Sequence, residues 1–216
     1  MAERVVSVNV GRPTQVPYEG RLITTGIFKV PVDGPLHLGR TNLDGDGQAD
    51  LKVHGGPDRA AYVYSLDSYE WWARELGHPM HPGDFGENLT LTGFTDADVR
   101  IGDRIRIGEA LVEPTSPREP CYKLGMRMAD KRFVERFSRA DRVGFYVRVI
   151  EEGAVAAGDP VVLEAAADGQ PTIAELHRVY AYARDDVEAL RLIVAAPALS
   201  GGWRRFLQAR LEEAGG

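Results

Sequence analysis

The chain has 216 residues, 44 % hydrophobic and 27 % charged, enough for one domain with a small appendage and too apolar for a chain that stays disordered. Twenty-six Lys and Arg stand against 32 Asp and Glu, a net charge of −6, which argues against a broad electrostatic surface for a nucleic-acid polymer. The single Cys excludes an internal disulfide, and with it any iron–sulfur cluster or Cys-rich zinc site held by this chain alone.

The first residues carry no apolar run of the signal-peptide kind, and no later stretch approaches the ~18 uninterrupted apolar residues of a membrane span. A soluble cytoplasmic protein without membrane contact is expected. Val6, Val8 and Val10 alternate with Ser7 and Asn9, the period-2 pattern of a half-buried strand. Further strand patterns run over 24–30, 60–64, 104–107, 110–113, 144–150 and 161–164, separated by Gly, Pro, Asn and Asp turn residues. Many short strands with few helices between them predict a mainly β protein, an antiparallel barrel in preference to a βαβ sheet. Two helices interrupt this part. The first, 67–76, places Tyr69, Trp72, Ala73 and Leu76 on one face and ends at Gly77. The second, 126–137, gathers Met126, Ala129, Phe133, Val134 and Phe137. Such aromatic stripes predict core packing.

The character changes at the Gly/Pro-containing linker 165–171. Thr172 with Glu175 is a capping-box signature, opening a helix that carries Ile173, Leu176, Val179 and Tyr180. A second helix follows Asp185-Asp186, and a third carries Trp203, Phe206, Leu207 and Leu211. About 45 residues are too few to be comfortable alone. The division expected is thus a β-barrel domain over 1–165 and a small C-terminal three-helix extension over 172–213, docked on the barrel or on a second subunit in a homodimer.

The most informative segment is Thr115-Ser116-Pro117-Arg118-Glu119-Pro120-Cys121-Tyr122-Lys123-Leu124. Pro114, Pro117 and Pro120 predict a stiff loop that holds its side chains with little entropy left to lose. Arg118 and Lys123 flank the lone thiol, and neighbouring cations stabilise a thiolate, which is both nucleophile and soft-metal ligand. A buried structural thiol is the competing reading, and local features leave the two level. In His54-Gly55-Gly56 the paired glycines let a backbone approach a ligand, with free N–H groups for an anion; a solvated turn competes. The acidic run from Asp44 resembles a calcium loop but puts Gly47 at position four and Gly55 at position twelve, against the Gly at six and Glu at twelve that such loops need. His78 and His81 lack the HExxH helix of a zinc pair. Asn88 in Gly86-Glu87-Asn88-Leu89-Thr90 offers a donor and an acceptor for a heterocycle edge, or simply begins a strand. No GxxxxGK[ST], GxGxxG or GxSxG motif occurs.

Taken together, these residues resemble MOSC domains (molybdenum cofactor sulfurase C-terminal domains), in particular the YiiM-type members. The matching segments are residues 26–32, Asp44 through Gly56, Gly86-Glu87-Asn88-Leu89-Thr90, Ile101-Gly102-Asp103, Pro117-Arg118-Glu119-Pro120-Cys121-Tyr122-Lys123-Leu124 and residues 144–149, with Leu199-Ser200 and Trp203-Arg204 in the tail. The resemblance implies a β-barrel that binds a pyranopterin molybdenum cofactor (molybdopterin with Mo), with Cys121 as protein ligand to molybdenum. It implies an oxidoreductase that reduces small N-hydroxylated bases and related N–O compounds in detoxification. Soft sulfur donors suit molybdenum, and Arg118, Lys123 and Arg127 are the expected phosphate-binding cations. His54 and Asn88 are expected to contact cofactor or substrate. With no dinucleotide fingerprint and one cysteine committed to metal, a separate electron-donor reductase is expected as partner. The principal alternative is a carrier of molybdenum cofactor or sulfur that uses the same cysteine.

Overall fold

The computed structural model describes residues 2–49 and 55–215. The strands are β1 (Val5–Val10), β2 (Thr14–Tyr18), β3 (Arg21–Thr25), β4 (Val30–Pro31), β5 (Leu36–Leu38), β6 (Ala61–Ser65), β7 (Leu89–Leu91), β8 (Arg104–Ile107), β9 (Ala110–Pro117), β10 (Phe145–Glu151), β11 (Gly153–Val155) and β12 (Val161–Ala165). The helices are α1 (Leu66–Leu76), α2 (Tyr122–Arg127), α3 (Phe133–Arg139), α4 (Ile173–Ala181), α5 (Val187–Ala195) and α6 (Gly201–Gly215). Among the described residues no helix is long and apolar enough to cross a membrane.

Eight strands form one sheet in the order β12-β8-β9-β10-β6-β7-β1-β4. The closed antiparallel barrel is corrected on two counts. β6 and β7 run parallel, because α1 crosses over between them and returns the chain in the same direction. The far sides of the sheet meet at a single bridge, Arg4 with Pro160, flanked by Val5 N–H to Asp159 O at 2.9 Å and Val161 N–H to Glu3 O at 2.9 Å. Beyond these contacts the edges do not pair among the described residues, so the large sheet stays open.

Local signals place most elements where expected. Gly77 ends α1 in the left-handed conformation at φ 73°, and Thr172 with Glu175 closes a full capping box on α4. Three expectations fail. The strand over 24–30 stops at Thr25 and resumes only at Val30, since Gly26 lies directly against the Gly47 carbonyl and the chain turns inward. The single helix over 126–137 is two, α2 and α3, broken where Ala129 takes φ 51° and the Asp130 side chain accepts the Arg132 N–H at 2.9 Å. The stiff proline loop starts later than expected, because β9 continues through Pro117.

Two apolar clusters hold these pieces. Trp72, Tyr64, Phe85, Phe133 and Phe137 are fully buried together, with Trp72 and Phe137 stacked 5.9 Å apart at 9°. The α1 and α3 stripes are thus core. The larger cluster joins Val8, Leu89, Ile105, Val112 and Val147 of the sheet to Ile173, Leu176, Leu190, Trp203 and Leu207 of the tail. The three C-terminal helices therefore dock on the sheet of their own chain and share its core.

Candidate functional site

The β region encloses a cavity of ≈ 100 Å³ whose walls come from segments far apart in the chain. Thr25, Gly26, Ile27 and Lys29 line it after the β2–β3 hairpin, Asp46 through Ala49 after β5, and Arg59 and Tyr62 around the start of β6. Gly86 and Asn88 come from the turn into β7, and Arg118, Glu119, Cys121, Lys123 and Tyr146 complete it. The half-buried Cys121 sits where β9 gives way to α2.

The floor is polar and fixed. Asp46, with 2 % of its side chain exposed, is ion-paired with Lys29. Its Oδ1 also accepts the Gly11 N–H at 2.8 Å, and its Oδ2 accepts the Asn88 amide at 2.9 Å. The Asn88 oxygen in turn accepts the Tyr62 N–H at 3.1 Å. Burial holds the Lys29 ammonium below the usual lysine range, although Asp46 pulls the other way. Behind this floor Glu87 is wholly buried, and its Oε1 accepts from Tyr69 Oη at 2.6 Å, Gly83 N at 2.7 Å and Thr90 Oγ1 at 2.8 Å. Burial raises the Glu87 carboxyl against those donors.

The side wall is two guanidinium–phenol stacks. Arg118 lies 4.8 Å from the Tyr62 ring centre and Arg59 lies 5.1 Å from that of Tyr146, with the two tyrosine rings 5.5 Å apart. Arg118 Nη1 donates to the Phe85 carbonyl at 2.7 Å, and Arg59 pairs with Glu119 at 3.4 Å. Burial pushes the Tyr62 hydroxyl well up and the Tyr146 hydroxyl up as well, so both stay phenols. Lys123 lines the cavity without a recorded ion-pair partner among the described residues. Four cations and two carboxylates therefore surround this space, in a chain whose net charge is −6.

Of the residues expected from sequence, Cys121, Asn88, Arg118 and Lys123 come together on these walls. Arg127 does not. It is ion-paired with Asp84 at 2.7 Å and lies over the Phe28 ring at 5.1 Å, outside the lining. His54 falls outside the described residues. Both amide atoms of Asn88 are engaged within the protein, so it braces the wall. Lys29, Asp46, Arg59 and the two tyrosines were not singled out from the sequence as site residues. Lys29 and Asp46 do fall in matching segments, and Arg59 follows the Gly-Gly pair by three positions.

Among the described residues no three His, Cys, Asp or Glu side chains gather into a metal-holding group. A metal at Cys121 would have to arrive with most of its own ligands. A cofactor that brings two sulfur donors and an anionic tail fits one free thiol beside four cations.

Residues 50–162 match the MOSC domain, and residues 171–214 match the YiiM-like, 3-alpha helix domain. The chain is 36 % identical over 208 residues to the protein YiiM of Escherichia coli, covering 95 % of this chain and 91 % of that one. It is 36 % identical over 165 residues to a Gibberella moniliformis protein called Reductase, covering 74 % of this chain and 29 % of that one. The crystal structure of YiiM from Geobacillus stearothermophilus superposes with a TM-score of 0.82 at 35 % identity, over 97 % of this chain and 99 % of that one.

Proposed function

The chain belongs to the MOSC-domain family, in its YiiM-like branch, and on that premise we propose that it is a molybdenum-cofactor-dependent reductase of N-hydroxylated bases and related N–O compounds. The observation that carries this reading is the lone thiol of Cys121 in a cavity walled by four cations and two tyrosines on an acidic protein. A relative named Reductase supports the reaction class. When bound, the cofactor supplies two-electron redox chemistry at a molybdenum held by its dithiolene sulfurs.

The chain's own residues supply the rest. Cys121 adds a third soft sulfur. Lys123 and the remaining guanidinium nitrogens of Arg118 bind the phosphate by charge-assisted hydrogen bonds. Arg59, held over the Tyr146 ring and tied to Glu119, shapes the side of the cavity. Asn88 and Asp46 keep the floor rigid, so the site loses little entropy on binding. Electrons come from a separate redox protein.

The test is the purified, cofactor-loaded protein, assayed for molybdenum and pterin and then for reduction of an N-hydroxylated base by reduced viologen. Turnover is expected with viologen and not with NADH alone. Cys121→Ser is expected to stay folded, to lose its molybdenum and to lose turnover by more than the ~10–100-fold typical of outer-shell partners. Wild-type molybdenum content and turnover in Cys121→Ser would overturn the assignment. Ready release of cofactor to other proteins with no turnover would favour a carrier.

A further inference from the structure

Lys29 is an ammonium nearly removed from bulk water, with 8 % of its side chain exposed, yet it lines the cavity. Its backbone is clamped, with its N–H donating to Ile27 O at 2.9 Å and Gly83 lying against its carbonyl, where a Cβ would stand 2.6 Å away. An ammonium has three donors, and Asp46 is the one acceptor recorded for Lys29 among the described residues. That acceptor is itself immobilised by Gly11 and Asn88. Among the described residues the charged groups that face Lys29 are Asp46 and Glu87, and Glu87 Oε2 is buried without a partner. A lysine so placed holds its proton less firmly than one in water, because burial penalises the charged form. A group of this kind on a cavity wall serves as an acid as well as a charge.

We propose that Lys29 is the proton donor to the departing hydroxyl oxygen of the N–OH substrate, with Asp46 as its positioning residue. This role rests on the reductase reading above. The overall step takes R–NH–OH, two electrons from the redox protein and two protons to R–NH2 and water. The N–O bond breaks, and a proton from Lys29 Nζ goes to the oxygen, which leaves as water. The nitrogen takes the second proton from solvent. Lys29 regains its own through the open mouth of the cavity.

The experiment compares the molybdenum-loaded wild type with Lys29→Arg and Lys29→Ala at matched molybdenum content. Lys29→Arg keeps the positive charge opposite Asp46 but does not release a proton in the working pH range. Its kcat is expected to fall by about 100-fold or more, with a smaller change in KM and loss of the alkaline limb of the pH profile. Methylamine is expected to restore part of the turnover of Lys29→Ala, which loss of packing alone would not allow. A second readout needs no turnover. With 13Cε-lysine in the purified protein, the resonance missing from Lys29→Arg is expected to titrate below the ordinary lysine range. Wild-type kcat and pH profile in Lys29→Arg, or titration of Lys29 in the ordinary lysine range, would overturn the proposal. A molybdenum-loaded wild type that reduces no N–OH compound would overturn the reductase reading and this role together, and is recognised because the wild type itself is then inert.

Discussion

Arg118 is 6 % exposed, stacked on Tyr62 and bonded to Phe85, and its own N–H donates to the Gly144 carbonyl at 3.0 Å. Gly144 is there because its φ is 68° and because a Cβ would stand 2.7 Å from the Tyr64 ring. The N–H of Gly144, with that of Val143 at 2.7 Å, is capped by the buried carboxylate of Asp96. Burial pushes the Asp96 carboxyl up to about 6, from an ordinary 3.8. The folded chain thus holds this proton more tightly than the unfolded one. Its contribution to stability is fully present below the ordinary value and is lost as pH rises through about 6. Wild-type stability to urea is expected to gain on the order of 1–3 kcal/mol from this group between pH 7 and pH 4. Burial shifts Glu87 in the same direction, so the assignment needs a variant. Asp96→Asn keeps an acceptor for the Val143 and Gly144 N–H groups and removes the titration, and its pH slope is expected to be flatter. An unchanged slope would place the effect elsewhere.

At the scale of elements, α4 begins on the most complete local signal in the chain. Thr172 Oγ1 accepts the Glu175 N–H at 3.1 Å, and Glu175 Oε2 accepts the Thr172 N–H at 2.7 Å. Thr172→Ala is expected to cost about 0.5–2 kcal/mol in urea unfolding, and no measurable loss would show that docking alone sets the helix start. Signals of this local kind were legible before the structure: the alternating valines of β1, the short β8, Gly77 after α1. The break between α2 and α3 was not, because a positive φ at Ala129 is a tertiary choice that hydrophobic spacing does not record. Nor was the course of β9. Its register against β10 slips between Pro114 and Ser116, leaving Thr115 as the extra residue of a bulge. Thr115 Oγ1 then donates to Asp58 O at 2.6 Å, and its carbonyl accepts the Ser200 N–H at 3.2 Å. Three prolines read as a loop, and only the pairing with β10 shows that two of them lie in a strand. The same division holds for the cavity. Cys121, Asn88, Arg118 and Lys123 sit in compact motifs, whereas the burial of Lys29 depends on segments far away in the chain.

Over the whole molecule the β region and the helical tail are matched by two separate domain descriptions, yet they bury one common core. Arg148 donates to the Ala198 carbonyl at 3.1 Å, and Ser200 reaches Thr115 across the same seam. Calorimetry is therefore expected to give one cooperative thermal transition, and two resolved transitions would contradict the shared core. The floor of the cavity has a consequence for the order of assembly. The Asp46 carboxylate closes loops of 35, 17 and 42 residues when it receives Gly11, Lys29 and Asn88. Contacts this distant in sequence are rewarded only after loop-closure entropy has been overcome, so the floor is expected to close together with the still longer-range pairing of β1 with β7. Each of these bonds is made within the chain itself, so the floor is held together by its own residues and does not rely on a ligand to join its parts.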